Sequence, residues 1–276
     1  MIKNCYLCGA SELNIVQKGS RNNPDLSLLE CEQCGLHQLS SFDATPDDYY
    51  TGANSNYPLK HIADDSRREK SLKNMLINKH VLDFGSGFSE FCNNVKKHTK
   101  SISAFDVDTD CASYYKKNNI PFFYDIRSLK KRHFDCITMF HVLEHLKNPI
   151  EIVNALKEKI KDGGCFFIEV PNANEALLSL YDSKEYSLFN TWEEHIFIYN
   201  AENLKYIAKK CDLRVDFVRQ VQRYPLSNHL LWLQKGKPQG HVIYNFLNSK
   251  TLNDAYAKTL AELGACDTLM AKFTKV

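Results

Sequence analysis

Four cysteines lie in two C-x2-C-G knuckles, Cys5-Tyr-Leu-Cys8-Gly and Cys31-Glu-Gln-Cys34-Gly, with 22 residues between Cys8 and Cys31. Each knuckle lets two thiolates converge on one ion above a tight turn that the glycine permits, and two knuckles complete a tetrahedral four-thiolate zinc site. A redox C-x-x-C needs one pair in a βαβ setting, so the doubled motif reads as structural zinc, with redox or iron–sulfur use as the alternative. His37, three residues past Cys34, is a spare ligand that a four-cysteine site does not need. A closed site leaves no open position for water or substrate, so its expected role is to hold together a ribbon too small to bury its own core.

A second chemical signal begins at His80-Val-Leu-Asp-Phe84, an apolar run that ends in Gly85-Ser86-Gly87 and is followed by Phe88, Phe91, Cys92 and Val95 at i, i+3, i+4 and i+7. That order is strand, glycine turn, amphipathic helix. Ser101-Ile-Ser-Ala-Phe105 is the next strand, closed by Asp106, 21 positions beyond Gly85. An acid there can bond both ribose hydroxyls of an adenosine lying across the strand ends. The third glycine of a dinucleotide fingerprint would fall at position 90, which is Glu90, and no G-x-x-x-x-G-K-[ST] loop occurs anywhere. A pyrophosphate at that helix start would meet a carboxylate, so the expected cofactor is an adenosine without phosphates. S-adenosylmethionine fits, because its cationic amino-acid end suits a nearby acid such as Asp83.

Two histidine motifs complete the set. His141-Val-Leu-Glu-His145 matches H-x-x-E-H, which on a continuous helix marks an inverted zinc-protease site. His141 here follows directly on the strand Phe134–Phe140, so the two rings are not expected one helical turn apart. Trp192-Glu-Glu-His195 precedes a helix from Ala201 to Cys211, which places Glu194 and His195 in a loop or short strand. An imidazole with an ordinary pKa of ~6.5 is suited to take a proton from a hydroxyl nucleophile. The competing reading of His195 is a packed, hydrogen-bonded side chain.

These residues need a scaffold. Strands Pro121–Tyr124, ending at Asp125, then Phe134–Phe140 and Cys165–Val170 follow the first two in order. Asn148-Pro149 starts a helix with Ile150, Val153, Leu156 and Ile160 inward, ended by Gly163-Gly164. Such alternation predicts an α/β fold with a doubly wound, mostly parallel seven-stranded sheet and ligand at the carboxyl ends of its strands. Arg214–Val218 and Asn228–Leu233 are expected as the two closing strands, with Arg223, Tyr224, His229 and Trp232 as a polar-aromatic set suited equally to a hydroxylated or anionic acceptor and to edge-strand packing. Leu247 to Lys275 reads as helical. The expected domains are a zinc ribbon (1–42), a connecting helical segment (43–79) with Asp43, Asp47, Asp48, Tyr49, Tyr50 and Tyr57, a cofactor-binding domain (80–240) and a C-terminal helical extension (241–276).

Composition limits the partners. The chain of 276 residues carries 35 Lys and Arg against 33 Asp and Glu, a formal charge of +2 that gives no global case for a nucleic-acid or anionic-membrane binder. Its basic doublets are scattered over several helices rather than gathered on one face. No apolar run approaches the ~20 residues of a membrane helix, and Met1-Ile-Lys-Asn-Cys5 opens no export signal. The expectation is a soluble, cytoplasmic chain whose six remaining cysteines are reduced.

The residues resemble the class I S-adenosylmethionine-dependent methyltransferases, specifically the group with an N-terminal zinc ribbon that acts on sugars or small molecules. The carrying motifs are Val81-Leu-Asp-Phe-Gly-Ser-Gly87, Ala104-Phe-Asp-Val-Asp108, Phe134 through Leu146, Leu156 through Gly164, and Phe167-Ile-Glu-Val-Pro-Asn172. The resemblance implies a Rossmann-like methyltransferase sheet. It implies that Asp83, Gly85, Ser86 and Gly87 line the methionine end, Asp106 and Val107 the ribose, Asp125 and Ile126 the adenine, and Phe140 and His141 the sulfonium. It also implies that Glu194 and His195 serve the acceptor as binding and base machinery, with His145 at the acceptor or behind it. The family's third small loop residue is Ser89 here. The expected activity is methylation, at oxygen with carbon as the alternative, of a carbohydrate, as nucleotide sugar or surface glycan, or of a similar small polar acceptor. The alternatives are a ribosomal-RNA methyltransferase with a zinc ribbon and a non-catalytic cofactor-binding module. The acceptor atom and the oligomeric state are not legible in the sequence.

Overall fold

A computed structural model describes residues 2–43 and 62–276. Asp47, Asp48, Tyr49, Tyr50 and Tyr57 of the expected connecting segment lie outside the described residues. In the ribbon, β1 (Leu13–Gln17) and β2 (Leu28–Cys31) form the expected antiparallel hairpin, and β3 (His37–Leu39) pairs antiparallel with β2. Next come α1 (Ile62–Leu76), β4 (His80–Phe84), α2 (Phe91–Lys96), β5 (Ser101–Phe105), α3 (Cys111–Lys117), β6 (Phe122–Phe123) and β7 (Phe134–Phe140). They are followed by α4 (Pro149–Lys157), β8 (Ile160–Pro171), α5 (Ala176–Ser179), α6 (Lys184–Asn190), β9 (Phe197–Ile198), α7 (Ala201–Lys210) and β10 (Leu213–Val221). The chain closes with α8 (Leu226–Lys235), α9 (Gly240–Ile243), α10 (Lys250–Leu263) and β11 (Thr268–Lys275).

The main sheet has seven strands in the order β10-β11-β8-β7-β4-β5-β6 and is mostly parallel, the α/β arrangement expected. Pairs β4–β5, β4–β7 and β5–β6 are parallel. Val81, Leu82, Ile137 and Met139 are fully buried, as strands covered on both faces require. The strand order reverses between β4 and β7, which makes the carboxyl ends of those two strands the switch point where doubly wound sheets bind ligands. A second sheet joins β9 to the ribbon in the order β1-β2-β3-β9.

Among the described residues, 2–43, 169–207 and 218–270 form one compact unit, and 62–168, 208–217 and 271–276 form another. In the first, Leu26, Leu28, Leu39, Ala173 and Ile198 pack into one apolar cluster, and Ala176, Leu260, Ala265 and Cys266 into another.

Three expected elements are corrected. Residues 228–233 are not a strand but the middle of α8, where Asn228, Leu231 and Trp232 are buried at i, i+3 and i+4 and Gly236 ends the helix at φ +62°. The strand beside β10 is β11, inside the segment read as helix to Lys275. There Gly264 at φ +73° stops α10, and the consecutive buried residues Thr268, Leu269, Met270 and Ala271 need cover on both faces, which a sheet interior supplies. Gly163 and Gly164 do not end a helix, since α4 finishes at Lys157 and β8 begins at Ile160. A Cβ on Gly164 would stand 2.9 Å from the Asp135 carbonyl oxygen, so this glycine permits a close backbone approach within the strand.

Candidate active site

At the carboxyl end of β4 the chain turns through Gly85, Ser86 and Gly87. The N–H groups of Gly85 and Ser86 both donate to the Phe105 carbonyl, at 2.8 and 3.0 Å. Gly85 has φ +73°, and a Cβ there would stand 2.3 Å from Val142 Cγ2, so no larger residue fits without displacement. Gly87 has φ +48° with nothing within 4 Å of its Cβ position, which leaves an open cradle over the turn. The Ser86 hydroxyl is buried without a hydrogen-bond partner among the described residues.

Asp106 locks this turn. Its Oδ2 accepts from Gly87 N–H at 2.7 Å and its Oδ1 from Asp108 N–H at 2.9 Å. Burial pushes its pKa up, against the backbone hydrogen bonds from Asp108 and Gly87. Each carboxylate oxygen keeps a second lone-pair site, so Asp106 can still receive two ribose hydroxyls. Val107 beside it is 55% exposed, an apolar face at the strand end. The orphaned serine, the open cradle and the acid make a donor set that fits the adenosyl and amino-acid parts of S-adenosylmethionine. At the helix start, Glu90 accepts from Tyr114 Oη at 2.6 Å.

Asp83 is turned into the core. Thr138 Oγ1 donates to its carboxyl at 2.6 Å, Cys92 Sγ lies at 3.6 Å, and burial pushes its pKa from 3.8 up to about 7. Asp125 is held by Arg127, whose N–H and Nε both donate to Oδ1, at 2.9 and 3.0 Å. Those hydrogen bonds hold its pKa below the usual carboxylate value. Ile126 opens the short 3-10 turn that this acid caps. Phe140 ends β7 edge-on to Phe91 at 4.9 Å. His141 adopts φ +55°, a left-handed conformation uncommon outside glycine, and its Nδ1 lies 3.1 Å from Glu144 Oε1. Residues 143–145 form a single 3-10 turn, so the H-x-x-E-H motif lacks the helix of a zinc-protease site, as its strand context implied. His145 Nε2 lies 4.0 Å from the same Glu144 oxygen.

Sequence reasoning missed two residues of α1. Asp65 Oδ2 accepts from Ser89 Oγ at 3.2 Å and Glu90 N–H at 2.9 Å, tying the end of the glycine turn to this helix. Arg68 forms a buried ion pair with Asp65 at 3.2 Å and lies 4.5 Å over the Phe140 ring. In sequence they belong to a charged run that reads as a solvated face. The available signal was their i,i+3 spacing, in phase with Leu72 and Leu76 on the buried side.

In the other unit, the sulfurs of Cys5, Cys8, Cys31 and Cys34 all lie within 4.8 Å of one another, with Cys5–Cys34 and Cys8–Cys31 at 3.5 Å. Thiolates bound tetrahedrally to zinc at ~2.3 Å stand about 3.8 Å apart, so the four sulfurs fit one ion. The Cys34 knuckle is held by Asn203 Nδ2 and Asn200 Nδ2, which donate to the Cys34 carbonyl at 2.8 and 3.3 Å. Glu194 and His195 sit in the turn just before β9, where His195 N–H donates to the Trp192 carbonyl at 3.2 Å and the two rings meet edge-on at 5.2 Å. Of the polar-aromatic set, His229 is buried between Tyr256 Oη at 2.7 Å and Glu175 at 3.2 Å. Trp232 packs on Tyr186 and Phe189, so these two side chains serve packing within the unit.

Comparison with known proteins agrees with this geometry. Residues 43–217 match the family described as "Methyltransferase domain". The "Ubiquinone biosynthesis O-methyltransferase" of Coxiella burnetii is 27% identical over 206 residues, 69% of this chain and 87% of that protein. Among solved structures, a SAM-dependent methyltransferase from Archaeoglobus fulgidus superposes with a TM-score of 0.54 at 18% identity, covering 77% of this chain and 93% of that one. The Haemonchus contortus phosphoethanolamine N-methyltransferase 2, solved with S-adenosyl-L-methionine, gives 0.50 at 16% identity over 85% of this chain and 60% of its own. These two likenesses show the shared fold. With the family match spanning more than half of its length, the chain belongs to the methyltransferase-domain family and is an S-adenosylmethionine-dependent methyltransferase.

Proposed function

We propose that this methyltransferase delivers its methyl group to an oxygen of a carbohydrate, as nucleotide sugar or surface glycan, or of a similar small polar acceptor. The observation that carries the donor side is the Gly85–Gly87 turn locked onto Asp106 beside the unpartnered Ser86 hydroxyl. In this reading Ser86 and Gly87 take the methionine end, Asp106 and Val107 the ribose, Asp125 and Ile126 the adenine, and Phe140 with His141 the sulfonium. Asp125 must then exchange part of its Arg127 contact for the adenine amine. Asp83, held in the core by the Thr138 hydroxyl, supports the strand from which this turn leaves.

The bound sulfonium supplies an electrophilic methyl group. What remains for the chain is to align a nucleophile and to receive its proton. Alignment is worth up to ~7–11 kcal/mol, and a positioned base typically ~10²–10⁴-fold. His195 is assigned as that base, with Glu194 orienting the acceptor and His145 as the other imidazole available. The O-methyltransferase name of the Coxiella relative supports oxygen as the acceptor atom. The near-balance of charge, with basic residues spread over several helices, favours a small acceptor over RNA. Cys5, Cys8, Cys31 and Cys34 hold one structural zinc ion that keeps the ribbon folded.

Tritiated S-adenosylmethionine, offered together with a sugar-nucleotide pool and with bulk RNA, tests the assignment. Label is expected in the sugar fraction and lost in His195→Ala. Label in RNA would assign the alternative acceptor, and full activity of His195→Ala would remove the base assignment.

A further inference from the structure

We infer that Arg21, at the polar tip of the ribbon hairpin, is a positioning residue for the turn that carries Glu194 and His195, and that the ribbon thereby forms part of the acceptor machinery. The inference rests on the reading of His195 given above. Arg21 makes an unusually complete set of contacts for a hairpin tip. Its guanidinium lies 3.8 Å over the Phe189 ring and 4.7 Å from the Trp192 ring centroid. Its Nε donates to the Phe189 carbonyl at 2.8 Å, Nη2 donates to the same oxygen, and its backbone N–H donates to the Thr191 carbonyl at 2.8 Å. Burial lowers its pKa, and the Glu194 and Glu193 carboxylates oppose that shift, so the cation is held facing the acids of the turn.

The far side of the turn is held by the same ribbon. Leu39 N–H donates to the Ile196 carbonyl at 2.9 Å, and β3 pairs His37 with Ile198 and Gln38 with Phe197. The segment between these two anchors is Trp192 to His195, four residues that include both acceptor candidates. Trp192 passes the constraint on directly, because its ring meets His195 edge-on and its carbonyl accepts the His195 N–H. A lysine at position 21 would keep the charge, yet it lacks the planar fork that stacks on two rings while donating twice to one carbonyl. Displacing a reacting group by about 1 Å can cost ~10²-fold in rate, so a loosened turn should be visible in kcat.

The test uses the full chain and compares Arg21→Ala, Arg21→Lys and His195→Ala. The first readout needs no acceptor: ring signals of Trp192 and His195 in 1H–13C NMR spectra, assigned by their loss in Trp192→Phe and His195→Ala. The second is tritiated methyl transfer to a panel of nucleotide hexoses, with calorimetric S-adenosylmethionine affinity and zinc content measured alongside. Arg21→Ala is expected to move both ring signals and to lower kcat roughly 10- to 100-fold, with cofactor affinity and zinc content unchanged. Arg21→Lys should recover only part of either effect. Unmoved ring signals in Arg21→Ala would overturn the inference. So would shifted signals accompanied by loss of zinc, which would mark a general folding role. Shifted signals together with an unimpaired His195→Ala variant would uphold Arg21 as the positioning residue of the turn and remove the base reading alone.

Discussion

The Gly85–Gly87 turn, after β4, and the Trp192–His195 turn, before β9, both carry candidate site residues, and they are held in contrasting ways. The first is fixed by backbone groups and one acid from the next strand, with Asp106 accepting from Gly87 across 19 residues of chain. The second is fixed by side chains and a sheet edge from far away, with Arg21 gripping Phe189 across 168 residues. A turn closed by local partners is specified wherever its motif occurs, whereas one closed at long range depends on a separately folded element. In the proposed reading the cofactor end is thus built from the fold's own repeating unit, and the acceptor end from an added ribbon.

The contrast can be broken by variants that strike one turn and spare the other. The largest effect is expected from Cys31→Ser. With its zinc site open the ribbon should lose its fold, methyl transfer should fall about a hundredfold, and the Trp192 fluorescence should change. Cofactor affinity, read by calorimetry, should move by less than about threefold. An equal loss of both would refute the separation of the two roles. Asp106→Ala is the converse: S-adenosylmethionine binding should weaken about a hundredfold, since hydrogen bonds to a charged group are worth ~1.5–3 kcal/mol each. Zinc content and Trp192 fluorescence should stay as in the parent.

Gly85→Ala comes next, with a positive φ and the Val142 methyl at 2.3 Å to accommodate. It should destabilise the protein by about 2–4 kcal/mol, visible as a lower melting temperature. Gly87→Ala, with a positive φ but open space, should cost only about 1–2 kcal/mol. Equal losses at the two glycines would show that steric fit does not distinguish them.

A further contrast concerns pH. The Asp83 carboxyl, pushed up to about 7 by burial, keeps its proton in the folded state when the unfolded chain has already lost it. Between about pH 4 and 7 the folded state therefore binds more protons, and stability should fall as pH rises through that window and level off above it. Urea denaturation at pH 5 and pH 8 should show this slope in the parent and a flatter one in Asp83→Asn. An unchanged slope in the variant would assign the dependence to other groups.

Much of the candidate cofactor site's framework was legible because its signals are local. The strands β4, β5 and β7 and the turn after β4 follow from short apolar runs ended by glycine or acid, and the strand order that unites them is that of a doubly wound sheet. Asp65 and Arg68 were not legible, because a charged helix face reads as solvated until the partner that buries it is known. At the C-terminus, apolar residues at 228–233 and 269–273 gave the period test too little to separate strand from buried helix. The structure assigns them the opposite way, α8 and β11, according to what covers each face.

By itself the sequence determined the class of fold, the glycine turn with its acid, and the four thiols, because each depends on residues close along the chain whose spacing dictates geometry. Only the tertiary structure decided which strand completes the sheet beside β10, and that the ribbon's third strand and its Arg21 tip hold the turn bearing Glu194 and His195. The ribbon contacts join residues more than 150 positions apart, and the β10–β11 pairing joins residues about 50 apart. Their selection rests on burial and hydrogen-bond satisfaction in the folded molecule, and neither leaves a periodic trace in the sequence.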